Sequence, residues 1–513
     1  MFGGVKSGIQ RRKGVVSTVR IQTERRPAPL PSVERARQHT SQRPSPSRES
    51  STRPSPSSAA ASPATPATPS SDPNESSSLR PSKRKATRQL SPNEMPIMYD
   101  TDSDSSDSDT DLTDLTDHKS FKRQKTNHPE DKNRQLRSRK AFSDEDGGSF
   151  EMIHAADLCT RSSKVSPDNV TVELKYPSAS QLERFYLDFG KDKIDSLEEI
   201  MNVARIVRDV YLTKKQAKVF TTPTSGVIRR LTKAQNAITS NKKKKVDIAL
   251  LEDFKKAVGF YNTTMMSLLQ EGALAKNLDD MHHLPLEMVQ FILQQVYDRA
   301  VSPHVDDLRV YKAGSDGVYG ELLSPFVSTV LGKCGLKSDQ VFVDLGSGVG
   351  NVVLQAALEF GCESWGCEMM PNACRLARKQ AAEFKARCRL WGLNTGKVQL
   401  EEGNFLENQE ISAVLRRADV VLVNNEVFGE ETNRALGLLF LDLKDGCHII
   451  SLQSFARGSS RNHHDPANII QNTDDSPYPF GPRDVSWTGR GGDYYIATKD
   501  EAHLARMRAA NEG

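Results

Sequence analysis

No run of 18 consecutive apolar residues occurs in these 513 positions, so the sequence offers no membrane-spanning helix. The opening segment MFGGVKSGIQRRKGVV also lacks the apolar stretch of a secretory signal. Cysteine is sparse, seven in all, with no Cys-x-x-Cys pair and no zinc-ligand spacing. An odd number of thiols without secretion points to reduced side chains, no metal site, and a reducing compartment, cytosol or nucleus. Tryptophan is missing from the first 360 residues; the three stand at 365, 391 and 487. The first 150 positions hold four phenylalanines and one tyrosine, and Ser41 to Arg80 carries 14 Ser and 8 Pro. So polar a composition cannot offset the entropy of ordering the chain. These deficits exclude a compact enzyme filling the whole sequence. They predict a long disordered tail over 1–150, with order beginning near 175.

The charges come in blocks. Residues 100–117 hold eight Asp and no base, whereas 119–140 hold nine Lys or Arg against two acids, a net +7. The first 26 residues add seven bases against one acid. Several basic clusters in one polar tail read as a nuclear protein that faces nucleic acid, with 119–140 as the DNA-binding arm. Binding through such an arm releases counterions and weakens steeply with salt.

Beyond the tail, helical periodicity comes first. Leu197, Ile200, Met201, Ala204, Val207 and Tyr211 share one face, with Ser196 and Glu199 at capping-box spacing. A second such face runs from Leu250 to Leu268, and Pro285 opens a further helix. Residues 175–310 therefore read as a helical section. From Val341 strands alternate with helices. The pattern predicts strands at 341–343, 364–367, 398–401, 419–424 and 448–452, then a closing hairpin of 485–487 with 494–498. This is an α/β fold: a Rossmann-like, mostly parallel seven-stranded sheet with a terminal antiparallel hairpin, over 311–500.

The first strand runs into Asp344-Leu-Gly-Ser-Gly-Val-Gly350. Gly346, Gly348 and Gly350 are spaced G-x-G-x-G, and Asn351 stands where a dinucleotide fingerprint needs its third glycine. Glycine lets the chain turn sharply and the ligand approach the backbone. Asp344, ending its strand, suits an ammonium. Glu368, 24 residues on at the end of the next strand, suits two ribose hydroxyls and repels a ribose phosphate. Strand, glycine turn, helix and strand-terminal acid together predict S-adenosylmethionine as the cofactor of a class I methyltransferase.

The ordered motifs V-Y-G-E at 318–321, V-D-L-G-S-G-V-G-N at 343–351, V-N-N at 423–425, F-G at 428–429, I-I-S-L at 449–452 and V-S-W-T-G at 485–489 resemble those of a known family. They are similar to the disruptor-of-telomeric-silencing, non-SET histone-lysine methyltransferases, in particular their fungal members, over roughly 175–500. The resemblance implies mono-, di- and trimethylation of a lysine on the nucleosomal core surface of histone H3. It further implies roles in silencing and the DNA-damage checkpoint, with a ubiquitylated neighbouring histone as a possible partner and a monomeric enzyme. Carried over by position, Tyr319, Gly320 and Glu321 belong to a loop over the cofactor's amino-acid end. Asp344, Gly346, Ser347, Gly348, Gly350 and Asn351 form the cofactor turn, Glu368 holds the ribose, and Phe405 packs on adenine. Asn424, Phe428, Trp487 and Tyr494 lie near the methyl group and the lysine channel. In two places the chain departs from the family pattern. Asn404 stands where Asp is usual beside the adenine amine, and Glu426 replaces an aromatic in the channel wall.

Plainer readings stand beside these. Trp487 serves equally as a core aromatic, Phe405 as a cap on the sheet and Glu321 as a first-turn helix acid. Tyr494 and Tyr495 must face opposite sides of a strand, so only one can line the channel. The pair His463-His464 sits in a polar loop and reads as solvent-exposed. Two rival functions remain: a nucleic-acid amino-methyltransferase, and a chromatin-binding module without catalysis. The first usually shows proline after the fourth strand, where this chain has Asn424-Asn425-Glu426-Val427.

Overall fold

The computed structural model describes residues 130–143, 150–161, 164–188, 194–241, 246–309, 320–456, 469–474 and 476–512. The acidic tract 100–117, the first half of the basic block, Lys242–Lys245, Tyr319 and the His463-His464 pair lie outside them.

Ten strands are described. β1 (Thr171–Leu174) and β2 (Glu183–Tyr186) form an antiparallel pair of their own. The main sheet comprises β3 (Val341–Leu345), β4 (Glu363–Glu368), β5 (Val398–Glu402), β6 (Val420–Val423), β7 (His448–Ser451), β8 (Ile470–Asn472), β9 (Tyr478–Phe480) and β10 (Gly492–Lys499). Their order is β5-β4-β3-β6-β7-β10-β8, with β9 also on β10. β3 to β7 run parallel, while β10 is antiparallel to β7, β8 and β9. β3 and β6 are buried along their whole length, as parallel strands covered on both faces must be, hence their unbroken Val-rich runs. The chain leaves β3 toward β4 on one side and returns to β6 on the other. The crevice at the carboxyl ends of β3 and β6 is thus the sheet's switch point, where ligands of such sheets bind.

The expected hairpin is corrected in detail. Val485 makes only a single bridge, to Leu322, and besides β7 the strand partners of β10 are β8 and β9, two three-residue strands that carry too little alternation to read. The helix predicted over 195–211 runs Ser196–Ile206 and finishes in a π-helical turn Val207–Tyr211. Its cap is Asp195 rather than Ser196: the Asp195 carboxylate accepts from the Leu197 and Glu198 N–H groups. The π turn carries Tyr211 to Trp391, whose carbonyl accepts the Tyr211 hydroxyl at 2.6 Å.

Order also begins earlier than composition suggests. Residues 130–143 lie against the core, with Leu136 and Ala141 buried. The Ser138 N–H donates to Gly392 O (2.9 Å) and the Asn394 N–H to Leu136 O (2.7 Å). The Arg134 guanidinium, 4% exposed, donates to the carbonyls of Leu358 and Glu359 and so closes the helix Asn351–Glu359 at its negative end. A strap held by a few anchors has no periodic face, so nothing in its pattern announces it. Half of the basic block therefore belongs to the folded domain.

The helical section is not separate from the sheet. One cluster holds Ile200, Phe254, Val289 and Ile292 together with Leu354, Phe384 and Trp391. Trp391 packs edge-on to Tyr176 and Phe291, and its N–H donates to Gln295 Oε1 at 3.0 Å.

Candidate active site

A cavity of about 540 Å³ opens at the switch point. Its floor is the glycine turn. Gly346 and Gly348 have φ of +89° and +55°, left-handed values that an L side chain reaches only with strain. The N–H groups of Gly346 and Ser347 both donate to Cys367 O, at 2.9 and 3.0 Å, which binds the turn to the end of β4. Glu368 completes the link: Oε2 accepts the Gly348 N–H (2.9 Å) and Oε1 the Met370 N–H (2.7 Å). Each of its oxygens keeps a lone pair for a further donor in the cavity. Asp344 is 3% exposed; burial, and then the neighbouring Glu368 carboxylate, push its pKa up to about 8.

The far end is apolar. Phe405 and Phe428 stack at 6.3 Å between centroids and an interplanar angle of 28°. Trp487 lies so close over Gly320 that a Cβ there would come within 2.7 Å of its ring. The segment 320–323 is held by the stretch that carries Trp487: the Glu321 N–H donates to Ser486 Oγ (2.8 Å), and the Ser486 N–H returns to Glu321 O (2.9 Å). The following helix starts at Ser324, so Glu321 is no first-turn acid; it is 9% exposed and accepts the Tyr297 hydroxyl at 3.3 Å. Below Asn424, Asn425 is fully buried and fastens the loop. Its Oδ1 accepts from the Leu452 and Gln453 N–H groups, and its Nδ2 donates to Asn433 Oδ1 and Gln453 O.

Of the residues expected from sequence, Gly320, Glu321, Asp344, Gly346, Ser347, Gly348, Asn351, Glu368, Asn404, Phe405, Asn424, Phe428 and Trp487 all face this cavity. Gly350 does not; it caps the helix Asn351–Glu359, against Leu400. Tyr494 is corrected outright. It is absent from the cavity wall and 2% exposed, stacked on Tyr478 at 5.2 Å, and its hydroxyl accepts from Lys333 Nζ at 2.8 Å. Tyr494→Phe should therefore lower the melting temperature by a few degrees, the loss of a hydrogen bond of about 1 kcal/mol, and leave the turnover number unchanged. Asn404 uses its Oδ1 to accept the Leu406 N–H at 3.0 Å, which leaves one lone pair toward the cavity. Glu426 is exposed at the rim, so its carboxylate stays in water. Met369, Met370, Val427 and Thr432 also line the cavity and were not foreseen. Their only sequence signal is position, directly after Glu368 and Asn424 or on the next helix.

Cavity and residues fit the cofactor. A deeply buried carboxylate with no described cationic partner suits an ammonium, Glu368 suits a ribose diol, and Phe405 suits a flat base. Fold and site together define a class I, S-adenosylmethionine-dependent methyltransferase.

Residues 297–499 match the family model for the histone methylation protein DOT1. The chain is 47% identical over 432 residues to a histone-lysine N-methyltransferase, H3 lysine-79 specific, of Gibberella zeae, covering 81% of this chain and 84% of that one. Proteins of the same description from Chaetomium globosum (47%, covering 74% and 73%) and Aspergillus fumigatus (45%, covering 72% and 74%) are similar too. The chain belongs to this family of histone methylation proteins.

Proposed function

We infer that the protein methylates a lysine on the core surface of nucleosomal histone H3, the residue named lysine 79 in its relatives, with S-adenosylmethionine as donor. The observation that carries this reading is the continuity of one cavity, from the Asp344–Glu368 end to the Asn424–Phe428–Trp487 end. Held there, the cofactor would supply an electrophilic methyl group on a sulfonium, with the neutral thioether as the leaving group when an amine takes the methyl. Asp344 holds the ammonium, Glu368 the ribose, and Asn404 with Phe405 the adenine. Gly320 and Glu321 close over the amino-acid end. Phe428 and Trp487, with Val427 and Met369 at the mouth, strip water from an entering lysine, which disfavours its ammonium form. They also fix the angle of approach, so positioning provides much of the rate. The entering lysine gives its proton to water at the mouth, beside the exposed Glu426.

Incubation with labelled cofactor and nucleosomes, free histones or naked DNA tests the reading. Label in H3 of nucleosomes is expected; label in DNA moves the substrate to nucleic acid, and cofactor binding without turnover makes the chain a binding module. Repeated methylation to the trimethyl state, stimulation by a ubiquitylated neighbouring histone, a monomeric enzyme, a nuclear location, and silencing and checkpoint roles belong to the same reading.

The raised pKa of Asp344 fixes a pH dependence. The free folded protein keeps a proton on this carboxyl between its ordinary 3.8 and about 8, where the unfolded chain has lost it, so stability falls as pH rises through that window. Asp344 gives up the proton when an ammonium binds beside it. Affinity for the cofactor should then rise from pH 6 to pH 8, with proton release detectable by calorimetry in buffers of different ionisation enthalpy. Asp344→Asn should abolish the release; a release that survives places the titrating group elsewhere.

The same reading includes a DNA contact through the basic block 119–140. Arg134 is consumed inside the domain and Arg137 pairs with Asp279 at 2.7 Å, so among the described bases of the block Lys132, Arg139 and Lys140 are exposed; the sequence 119–129 adds four more. Deleting 119–129 should weaken nucleosome binding at low salt and flatten its dependence on salt, by a slope of roughly 0.9 per lost phosphate contact. Equal affinity at every salt concentration excludes the arm from binding.

A further inference from the structure

A second cavity, of about 30 Å³, adjoins the first, and Glu321, Leu322 and Asn351 line both. It is large enough for one water molecule. Part of its wall is apolar, from Leu293, Val296 and Leu354. Two of its polar residues, however, bring buried atoms without a hydrogen-bond partner among the described residues: Ser324 Oγ and Gln380 Oε1. Ser324 is 5% exposed and Gln380 1%.

The orientation of Gln380 is fixed by its other end. Nε2 donates to Val349 O at 2.9 Å and to Asn351 Oδ1 at 2.8 Å, which holds both the glycine turn and the first residue of the helix behind it. The amide oxygen is left at the cavity. Gln355 cannot answer it, because its Nε2 already donates to Ser324 O and Glu359 Oε2, both at 2.8 Å. Wholly apolar voids stay dry, but a void of this size with an acceptor, a hydroxyl and a carboxylate at its wall is a water site.

We propose that this cavity binds one ordered water, which ties the segment 320–324 to the glycine turn from behind. The water donates one proton to Gln380 Oε1 and accepts the Ser324 hydroxyl proton. Its second proton faces Glu321, the carboxylate that also accepts from Tyr297. Four parts of the chain meet there: the helix Leu286–Ala300 through Tyr297, the segment 320–324 through Glu321 and the helix-opening Ser324, the helix Asn351–Glu359, and the helix Pro371–Trp391 through Gln380. Glu321 and Asn351 present their other sides to the cofactor cavity. The water is thus a positioning element for that site, and this second consequence rests on the S-adenosylmethionine reading.

A high-resolution crystal structure of the cofactor-free full chain tests the first part. A peak within hydrogen-bond reach of Ser324 Oγ and Gln380 Oε1 is expected. An empty cavity, or a peak whose contacts are too short for hydrogen bonds and mark a metal ion, overturns the proposal. Calorimetry with S-adenosylmethionine tests the second. Ser324→Ala should remove the peak and weaken cofactor binding roughly three- to tenfold, the effect of one lost hydrogen bond. Val296→Ile, which puts a methyl into the cavity, should expel the water and weaken binding similarly. If that substitution instead raises the melting temperature and leaves affinity unchanged, the cavity is a dry void and the proposal is wrong. Failure of the wild type to bind the cofactor at all sinks the methyltransferase reading and leaves the density test standing.

Discussion

Gly348→Arg is expected to abolish cofactor binding and methyl transfer while shifting the melting temperature by only a few degrees. Residue 348 has φ +55°, so any L side chain there carries left-handed strain of about 1 kcal/mol, worth a few degrees in a domain of this size. The functional effect is larger because of direction. Position 348 lines the 540 Å³ cavity, and a guanidinium projecting from it lies among Asp344 and Glu368. It would pair with the carboxylates that are otherwise set for the cofactor's ammonium and ribose, and fill the volume between them. Part of the strain is then offset by new ion pairs, while affinity falls by about a hundredfold or more, about 2.7 kcal/mol. Calorimetric titration and transfer of labelled methyl to nucleosomes measure the loss, and a thermal melt shows that the fold persists. Labelling at the wild-type rate would mean that the turn does not hold the cofactor.

That prediction was open to sequence reasoning because the turn announces itself. Three glycines between a buried Val-rich strand and a helix demand left-handed backbone, and an acid at the end of the next strand lies beside them once the sheet is parallel. Other parts are silent for physical reasons. The pattern requires Tyr494 and Tyr495 to oppose one another, but both faces of this sheet are covered, so polarity cannot say whether Tyr494 lines the cavity. The choice is made by the helix Ser324–Lys333, where Phe326 meets Tyr494 edge-on at 5.1 Å and Lys333 reaches its hydroxyl. The strap at 130–143 is equally silent, since it relies on Arg134, Leu136 and Ala141 at unrelated spacings. β8 and β9 are three residues each and sit among Asp, Ser and Pro, where turn signals dominate. Asn404 was foreseen as a base-contacting amide, whereas its Asx-turn bond to Leu406 depends on a local backbone geometry that residue type alone does not specify.

Arg387→Met should cost about 3–5 kcal/mol of stability, the effect of breaking a buried ion pair from one side. Arg387 and Arg299 are fully buried, and between them stands Glu183, also fully buried. Arg299 Nη2 donates to Glu183 Oε1 at 2.9 Å and to Glu199 Oε1 at 2.6 Å, while Arg387 donates to Glu183 Oε2, to Glu383 Oε1 at 2.6 Å and to Ile153 O at 2.7 Å. Burial by itself raises the Glu183 pKa, but the two guanidiniums outweigh it and hold the carboxyl down at about 2. Because the folded pKa is depressed, this stabilisation is complete above the ordinary 4.5 and is lost as pH falls toward 2. Methionine fills much of the arginine's volume but leaves Glu183 with one cation and takes from Glu383 the guanidinium it pairs with directly. At about 2–4 °C per kcal/mol for a chain this long, the melting temperature should fall by about 10 °C. The cluster joins β2 and the helix Leu286–Ala300 to the helix Pro371–Trp391, so helical section and sheet should still unfold together, with circular dichroism and tryptophan fluorescence tracing one transition. Glu183→Gln added to Arg387→Met should recover part of the loss, since it removes a stranded charge. A loss below about 1 kcal/mol, or two separate transitions in the wild type, would show that apolar packing around Trp391, and not this ion cluster, is what makes the two parts one domain.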